Sequence, residues 1–267
     1  MGKPLDIVVL VKQVPDSGAP RSLTATNATV DRETADLVVN EMDEYAIEEA
    51  LRLRKDHGGQ ITLLTMGPEG AVSSIRKALQ LGADAAVHVT DSALSGSCAV
   101  KTSLVLAAAL RTLSWDIVLC GAAATDGQLA VIPAMLSARL AAPALTSARA
   151  LTIDDSDTPV AHVERQTETG YQKLRAALPV IVSVTDTINE PRYPTFREIM
   201  AAKSKPILTL SLSDIGIDPG DVGVAGATSA VDDFSPRPPK GAGVIVPAGD
   251  QVGKQLVEFL AERRLIN

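Results

Sequence analysis

Short apolar runs alternate with longer stretches of helical periodicity along the first half of the chain. Runs rich in Val, Ile and Leu, such as Asp6 to Val11, are typical of strands buried on both faces of a sheet. The stretches between them repeat apolar residues at helical spacing. Strands are predicted over 6–11, 61–66, 85–89 and 117–120, and helices over 40–57, 70–81, 96–113 and 129–140. This alternation predicts a doubly wound, mostly parallel α/β sheet of Rossmann-like type.

The pattern changes after Pro143, where strands follow one another without intervening helices. Polar turns separate predicted strands over 146–153, 160–166 and 171–177, which favours an antiparallel addition to the sheet. A buried strand over 180–185 and a helix over 196–202, capped by Thr195, follow. Near the N-terminus, Pro15 ends the first strand, and residues 17–39 form a polar excursion with a short hairpin around Thr29 to Val39.

Residues 206–250 are rich in Gly, Pro and Asp and show no periodicity long enough for a helix or a paired sheet. Such a long segment inside a compact domain is unusual, so we expect an extended arm lying over another surface. An amphipathic helix over 251–265 then closes the chain. The predicted organisation is therefore an α/β domain over 1–205 and a C-terminal arm over 206–267 that contacts a partner subunit.

Composition narrows the possible functions. The net charge of −7 and the pI of about 5.0 argue against general binding to nucleic acid or to a membrane surface. No apolar run approaches the ~18 residues of a membrane span, so we expect no membrane insertion and a cytoplasmic location. Cys98 and Cys120 lack metal-site spacing and are predicted to be reduced thiols.

The common catalytic and nucleotide motifs are absent from the sequence: there is no GxGxxG after the first strand, no Walker loop, no GxSxG and no HExxH. What remains is a crevice at the carboxyl ends of the predicted strands, of the type that binds adenine nucleotides. The Gly121 to Ala130 loop, between a strand and a helix, offers backbone N–H groups to an anion. Asn40 offers an amide to an adenine or a ribose.

Several longer motifs resemble a known family. They are VKQVPD (11–16), NEMDEYAIEEALRL (40–53), MGP (66–68), RKALQLGAD (76–84), LPVIVSV (178–184) and NEPRYPTFREIMAAK (189–203). Together they resemble the beta subunit of electron transfer flavoprotein, and the similarity spans nearly the whole chain. The last motif is specific to that family.

The resemblance implies a redox-active heterodimer, an electron carrier rather than an enzyme, in which an alpha subunit holds most of the FAD site. The pair would accept electrons from acyl-CoA and related dehydrogenases, as in fatty acid oxidation, and pass them to the respiratory chain through a flavoprotein-quinone oxidoreductase. It also implies a structural AMP in the crevice of the beta subunit. The AMP contacts carried over are Leu10, Asn40, Glu41, Met42, Asp43, Met66, Gly121, Ala122, Ala123, Ala124, Thr125, Asp126, Gly127, Gln128, Leu129 and Ala130.

The segment from Asn189 resembles the loop by which this family recognises dehydrogenases. It is locally basic and carries aromatic residues beside arginines, a composition typical of protein-binding hot spots. Phe196 stands where the family places a large apolar anchor. The predicted partner-binding residues are Arg192, Tyr193, Phe196, Arg197, Ile199 and Met200.

The chain departs from the family pattern after Asp126-Gly127. The family usually continues with a small or hydroxyl residue and a glycine, whereas this chain has Gln128-Leu129-Ala130. The loss of backbone freedom and of a hydroxyl ligand predicts weak AMP binding or none. Three alternatives remain at this point: a bifurcating flavoprotein with FAD in place of AMP, a stand-alone ATP-binding α/β protein, and a purely structural interaction protein.

Overall fold

A computed structural model describes residues 4–19, 22–24, 26, 28–235, 238–239, 241, 243–246 and 248–266. Parts of the predicted polar excursion and of the predicted C-terminal arm lie outside the described residues. Two compact units divide the chain, Met1–Asp232 and Asp233–Asn267.

Among the described residues, the first unit contains eleven strands and six α-helices. Strands are β1 Leu5–Leu10, β2 Gln13–Pro15, β3 Leu37–Val39, β4 Gly59–Met66, β5 Ala85–Val89, β6 Ile117–Gly121, β7 Ala144–Ile153, β8 Val160–Thr167, β9 Gly170–Ala177, β10 Val180–Val184 and β11 Ile207–Leu210. Helices are α1 Glu41–His57, α2 Val72–Gln80, α3 Ala99–Arg111, α4 Ile132–Leu140, α5 Phe196–Ala202 and α6 Gly223–Gly226.

Nine of these strands form one sheet in the order β11-β5-β4-β1-β6-β10-β7-β8-β9. Pairing is parallel from β11 through β7 and antiparallel for β7 with β8 and β8 with β9. The predicted fold class, a mostly parallel sheet with an antiparallel addition, is confirmed.

Helices cover both faces of this sheet because the central strands are apolar on both sides. Along β1, Ile7 and Val9 belong to one buried cluster with residues of α1 and α2, whereas Val8 and Leu10 belong to a second cluster with residues of α3 and α4. This division follows from the two-residue period of a strand. Its consequence is a rigid sheet whose carboxyl edge holds loops in fixed positions.

Two predictions about strand pairing are wrong. Part of the segment 206–250 does pair with the sheet, since β11 lies parallel to β5 at the edge. The hairpin around Thr29 to Val39 is replaced by pairing of β3 with β2 at the far end of the excursion, and Pro15 lies within that short ladder. Local periodicity did not reveal either pairing because each joins segments that are distant in sequence.

Charge pairing along α1 also differs from the prediction. The i,i+4 spacing of Glu48 and Arg52 predicts an ion pair between them, but Arg52 instead pairs with the buried Glu49 and with Asp56. Arg52 also donates to the carbonyl of Leu151 in β7. Tertiary contact with the sheet therefore decides which glutamate Arg52 binds.

The second unit ends in a helix, α7 Val252–Glu262, as the terminal amphipathic pattern predicted. None of the α7 residues is buried, and Leu256 and Val257 are each more than half exposed. Arg263, the residue after α7, lies over the ring of Phe259, with its guanidinium carbon 4.4 Å from the ring centre.

Candidate functional site

The crevice lies where three neighbouring strands end. β4, β1 and β6 are adjacent and parallel, so Met66, Leu10 and Gly121 meet at the same edge of the sheet. The first turn of α1 and the loop of residues 121–130 adjoin this edge, because they hydrogen-bond to each other and to the chain after β1. This is the position at which open α/β sheets bind ligands.

Asn40 and Asp43 hydrogen-bond to the chain after β1, to the end of β6 and to the loop of residues 121–130. One Asp43 carboxylate oxygen accepts from the backbone N–H of Lys12 at 2.8 Å, and the other accepts from Gly121 N–H at 3.3 Å and from the Asn40 amide at 2.9 Å. Asn40 also donates to the carbonyl of Ala123 at 3.2 Å and accepts from Thr125 N–H at 3.0 Å. Both side chains are buried, so this network fixes the loop relative to β1.

Both amide hydrogens of Asn40 are used inside the protein, which bears on its predicted role. One donates to Asp43 and the other to Ala123. Only one lone pair of its oxygen is left for a ligand. In this arrangement Asn40 shapes the crevice by positioning the loop of residues 121–130.

Gly121 is required by close approach to α1. A Cβ atom at this position would lie 2.6 Å from Cβ of Met42 and 2.7 Å from a carboxylate oxygen of Asp43. Both distances are shorter than real carbon contacts, so any larger residue would push the helix from the sheet. The glycine therefore allows the Asp43 carboxylate to reach the end of β6.

Burial raises the pKa of Asp43 to about 7, against the opposing effects of hydrogen bonds from Asn40, Lys12 and Gly121 and of the Lys12 charge. Cys120 is also buried, and this burial, together with the nearby Asp43 charge, raises the pKa of its thiol. Cys120 and Cys98 are both free thiols, as the sequence predicted.

The second half of the loop is exposed and conformationally unusual. Gln128 and Ala130 adopt left-handed backbone angles, with φ of 50° and 54°, and they flank Leu129, whose side chain is 64% exposed. These are two of the positions at which the chain departs from the family pattern. The hydroxyl of Thr125 is buried and has no hydrogen-bond partner among the described residues. Such a group is unusual, because buried polar atoms generally form hydrogen bonds.

Lys12 and Arg32 meet at Asp126, a contact that sequence reasoning missed. The Lys12 ammonium donates to one Asp126 oxygen at 2.7 Å, and Arg32 donates to the other. Burial alone would raise the pKa of Asp126, but the Lys12 charge and the hydrogen bonds from both cations lower it. Lys12 stands two residues after β1, within the motif VKQVPD, which the sequence singled out. Arg32 lies in the polar excursion, where nothing in the local pattern singled it out.

A buried histidine supports the turn that follows β4. His88 in β5 is 1% exposed, and its Nε2 lies 3.1 Å from the carbonyl of Gly67, to which it donates. Burial lowers its pKa, so the neutral ring holds the Met66-Gly67-Pro68 turn.

The remaining predicted crevice residues have mainly internal contacts. Glu41 is exposed and accepts from Ser17, and Ala122 N–H donates to the carbonyl of Val184. The Ala124 carbonyl accepts from Gln128 N–H, and Gly127 N–H donates to Asp126. These bonds close the loop on itself beside the two cations. The crevice thus combines apolar strand ends, a polar loop and positive charge.

The predicted partner-recognition segment presents three apolar side chains to solvent. Tyr193 is 95% exposed, Phe196 is 78% exposed and Met200 is 47% exposed. Thr195 begins α5 with a capping box, in which its hydroxyl accepts from Glu198 N–H while the Glu198 carboxylate accepts from Thr195 N–H. Hydrogen bonds from Thr195 and the charge and hydrogen bond of Arg192 lower the pKa of Glu198 to about 2. The helix that carries Phe196 is therefore well defined although its apolar face is bare.

Arg192 holds this segment to two other helices. Its guanidinium contacts Glu198 at 2.9 Å, Glu48 of α1 at 3.4 Å and the carbonyl of Leu81, just after α2, at 3.0 Å. Of the other residues predicted to bind a partner, Arg197 is exposed and Ile199 is half-buried. Arg192 thus has a structural partner on each side, while the exposed apolar residues remain free to meet a protein.

Comparison with known proteins identifies the family. The sequence model of the electron transfer flavoprotein domain matches residues 27–215. The chain belongs to the electron transfer flavoprotein family. It is similar to the electron transfer flavoprotein subunit beta of Mycobacterium leprae, with 42% identity covering 98% of this chain and 99% of that protein.

More distant members of the family cover the chain as well. The subunit beta of Thermoanaerobacterium thermosaccharolyticum is 32% identical, over 98% of this chain and 100% of that protein. Protein FixA of Azorhizobium caulinodans is 36% identical, over 80% of this chain and 78% of that protein. The resemblance to the beta subunit of this flavoprotein family is confirmed. In the described part of the chain, no helix has the length and apolar character needed to cross a membrane.

Proposed function

We propose that this chain pairs with an alpha subunit to form a heterodimeric electron carrier with one FAD, most of whose site lies on the alpha subunit. The carrier accepts electrons from acyl-CoA and related dehydrogenases and passes them to the respiratory chain through a flavoprotein-quinone oxidoreductase. Similarity to beta subunits along nearly the full length of the chain supports the pairing.

The proposal that this chain binds partner dehydrogenases rests on the exposed apolar face of α5. An anchor such as Phe196 contributes to binding by leaving water for a pocket on the partner, and solvated charge around it keeps the complex transient. Arg197 and Lys203 provide that charge, since both side chains are exposed. A carrier that exchanges between several dehydrogenases needs this combination of a preformed anchor and a weak rim.

The chemistry of the electron transfer belongs to the flavin when it is bound. This chain positions the partners and contributes the crevice, in which AMP binds weakly or not at all because of Gln128-Leu129-Ala130. Among the described residues, no group of three His, Cys, Asp or Glu side chains is arranged to bind a metal ion. The second unit, with its exposed α7, is proposed as the arm that binds the alpha subunit.

Phe196→Ala tests the partner proposal. We expect reduction of the heterodimer by a partner dehydrogenase to slow by at least about tenfold, because a buried aromatic anchor contributes roughly 2 kcal/mol or more. The flavin content should not change, since Phe196 is exposed on α5. Tyr171→Ala serves as the matched control, because Tyr171 is an exposed aromatic on β9 outside the segment. Equal rates for wild type and Phe196→Ala would refute the assignment of this segment.

Co-expression with an alpha subunit and a count of bound FAD and AMP tests the cofactor proposal. One FAD for each heterodimer, with or without AMP, supports the carrier. Two FAD molecules would instead support a bifurcating flavoprotein with FAD in the crevice. A monomer without flavin that turns over ATP would support the stand-alone nucleotide-binding protein, and one that binds no nucleotide would support a structural role.

A further inference from the structure

Helix α5 has little apolar packing to hold it in place. Of its seven residues, Ala202 alone is buried, and it packs in the core cluster that includes residues of α1 and α2. A helix of about two turns is too short to be stable through its own hydrogen bonds. The position of α5 on the domain therefore depends mainly on polar contacts at its two ends.

Arg76 of α2 holds the C-terminal end of α5. Its guanidinium nitrogen Nη1 donates to the carbonyl of Ala202 at 2.9 Å and also to the carbonyl of Lys205. The Ala202 carbonyl has no helical donor four residues later, because that residue is Pro206, which lacks an N–H. Arg76 thus supplies a hydrogen bond that the sequence after α5 cannot provide.

Lys205 makes the contact between the two helices reciprocal. Its ammonium donates to the carbonyl of Leu79, near the end of α2, at 3.0 Å. The next residue, Pro206, accepts from Ala86 N–H of β5, where the chain joins the sheet as β11. The connection from α5 to the sheet edge is therefore fixed at Ala202, Lys205 and Pro206.

The end of α5 that Arg76 holds determines where the exposed apolar residues lie. Arg192 and the capping box hold the opposite end of the helix. If the C-terminal turn frays, about half of α5 is lost, because the helix has only about two turns. Met200 lies in that turn, and Phe196 then projects from a helix whose axis is no longer fixed.

We propose that Arg76 is a positioning residue for partner recognition. Its bonds to the carbonyls of Ala202 and Lys205 hold the last turn of α5 and so fix the direction in which Phe196 and Met200 face a dehydrogenase. This inference rests on the proposed function, because it takes α5 as the surface that meets the dehydrogenase. It adds a residue of another helix, which acts through α5 rather than by touching the partner.

The test measures how a partner dehydrogenase reduces the heterodimer at increasing heterodimer concentration. Arg76→Gln should raise the KM for the heterodimer about fivefold and change kcat by less than about twofold, because a poorly held anchor weakens binding and leaves the flavin chemistry unchanged. Arg76→Lys should recover part of the loss, since an ammonium keeps the charge and the donors without the planar geometry.

Lys77→Gln is the matched control. Lys77 is the next residue of α2, carries the same charge and is exposed. Its replacement should change the KM by less than about twofold, because an exposed charge alone contributes little. Thermal unfolding of each variant identifies any that fails to fold.

A double-mutant cycle separates positioning from a general loss of stability. In the Phe196→Ala/Met200→Ala background, Arg76→Gln should change the KM by less than about twofold, because the residues through which it acts are gone. A general loss of stability would raise the KM equally in both backgrounds. Amide hydrogen exchange should also become faster in the last turn of α5 in Arg76→Gln and stay unchanged in β1.

Three results would overturn the inference: an unchanged KM in Arg76→Gln, the same rise of KM in both backgrounds, or unchanged hydrogen exchange in α5. The same variants report separately on the proposed function. If Phe196→Ala/Met200→Ala is slow while Arg76→Gln behaves as wild type, the recognition segment stands and Arg76 does not position it. If Phe196→Ala/Met200→Ala is reduced as fast as wild type, the dehydrogenase-binding role of α5 is wrong, and the positioning role of Arg76 is wrong with it.

Discussion

Backbone geometry at single residues explains why the crevice loop was difficult to assess from sequence. Ala130 has a φ of 54°, a region in which an L residue loses roughly 1–2 kcal/mol relative to the right-handed form. The sequence shows that Ala130 stands where the family usually has a glycine, but only the structure shows that Ala130 adopts a left-handed angle. The loop therefore adopts this shape at an energetic cost.

Ala130→Gly should stabilise the protein. Relief of the left-handed angle outweighs the extra freedom of glycine in the unfolded chain, so the free energy of unfolding should rise by about 0.5–1 kcal/mol. Urea unfolding measures this change. Ala134→Gly is the control, since Ala134 is exposed within α4 and glycine there should lower stability by about 1 kcal/mol. A decrease in both variants would contradict the strain at Ala130.

Asp43 should make stability depend on pH. Its pKa of about 7 in the folded protein exceeds the value of about 4 in an unfolded chain, so the folded state binds more protons between these values. The contribution is fully present below about pH 4 and is lost as pH rises to about 7. Chemical unfolding at several pH values should therefore show a more negative slope for wild type than for Asp43→Asn, by up to about 1.4 kcal/mol per pH unit. Parallel slopes would show that Asp43 does not bind this proton.

At the scale of elements, α5 shows how a short helix can be held while its apolar face remains exposed. The sequence predicted the helix and its Thr195 cap, and both are confirmed. The arginine before it was predicted to face a partner, yet it joins α1, α2 and α5. Gly82 allows this contact, because a Cβ atom there would lie 3.2 Å from the Arg192 guanidinium. We infer that Arg192 positions the anchor.

Arg192→Gln should loosen α5 without unfolding the sheet. Loss of the guanidinium removes the contacts to Glu48, Glu198 and Leu81, so amide hydrogen exchange in α5 should become faster while exchange in β1 is unchanged. Arg197→Gln removes the same charge from an exposed position and should leave exchange in α5 as in wild type. Unchanged exchange in Arg192→Gln would show that the cap alone holds the helix.

At the scale of the whole molecule, the compact first unit extends to Asp232, well beyond residue 205. β11 adds to the sheet, and Leu212 and Val222 are buried in the core cluster that includes α3. The predicted domain boundary at 205/206 separates residues that pack together in this unit. The division at Asp232 is thus the better starting point for testing the arm.

A chain ending at Asp232 should fold but not bind the alpha subunit. The buried core lies within residues 5–222, so its thermal unfolding midpoint should stay within a few degrees of the full-length chain. Co-purification with the alpha subunit should fall strongly, because α7 would be missing. A chain ending at Lys205 is the comparison, and it should unfold at lower temperature since it lacks β11. Full retention of the alpha subunit by the chain ending at Asp232 would contradict the proposed arm.

Local sequence determined the elements and the position of the crevice. Periods of two and of about 3.6 residues predicted most of the strands and helices, although β2, β11 and α6 were missed. The order of strands and helices predicted a parallel sheet. The crevice followed, because parallel strands end at a common edge. The partner-binding character of this segment was likewise indicated by composition, since aromatic residues stand beside arginines at Arg192-Tyr193 and Phe196-Arg197.

Tertiary structure alone decided the partners of the charged side chains. Arg32 reaches Asp126 across 94 positions of sequence, and Arg192 reaches Leu81 across 111. No local pattern encodes such contacts, because an arginine has the same propensity and polarity whether it faces water or a distant carboxylate. The ion pairs at Asp126 and the support of α5 by Arg192 therefore form only when the fold brings these segments together.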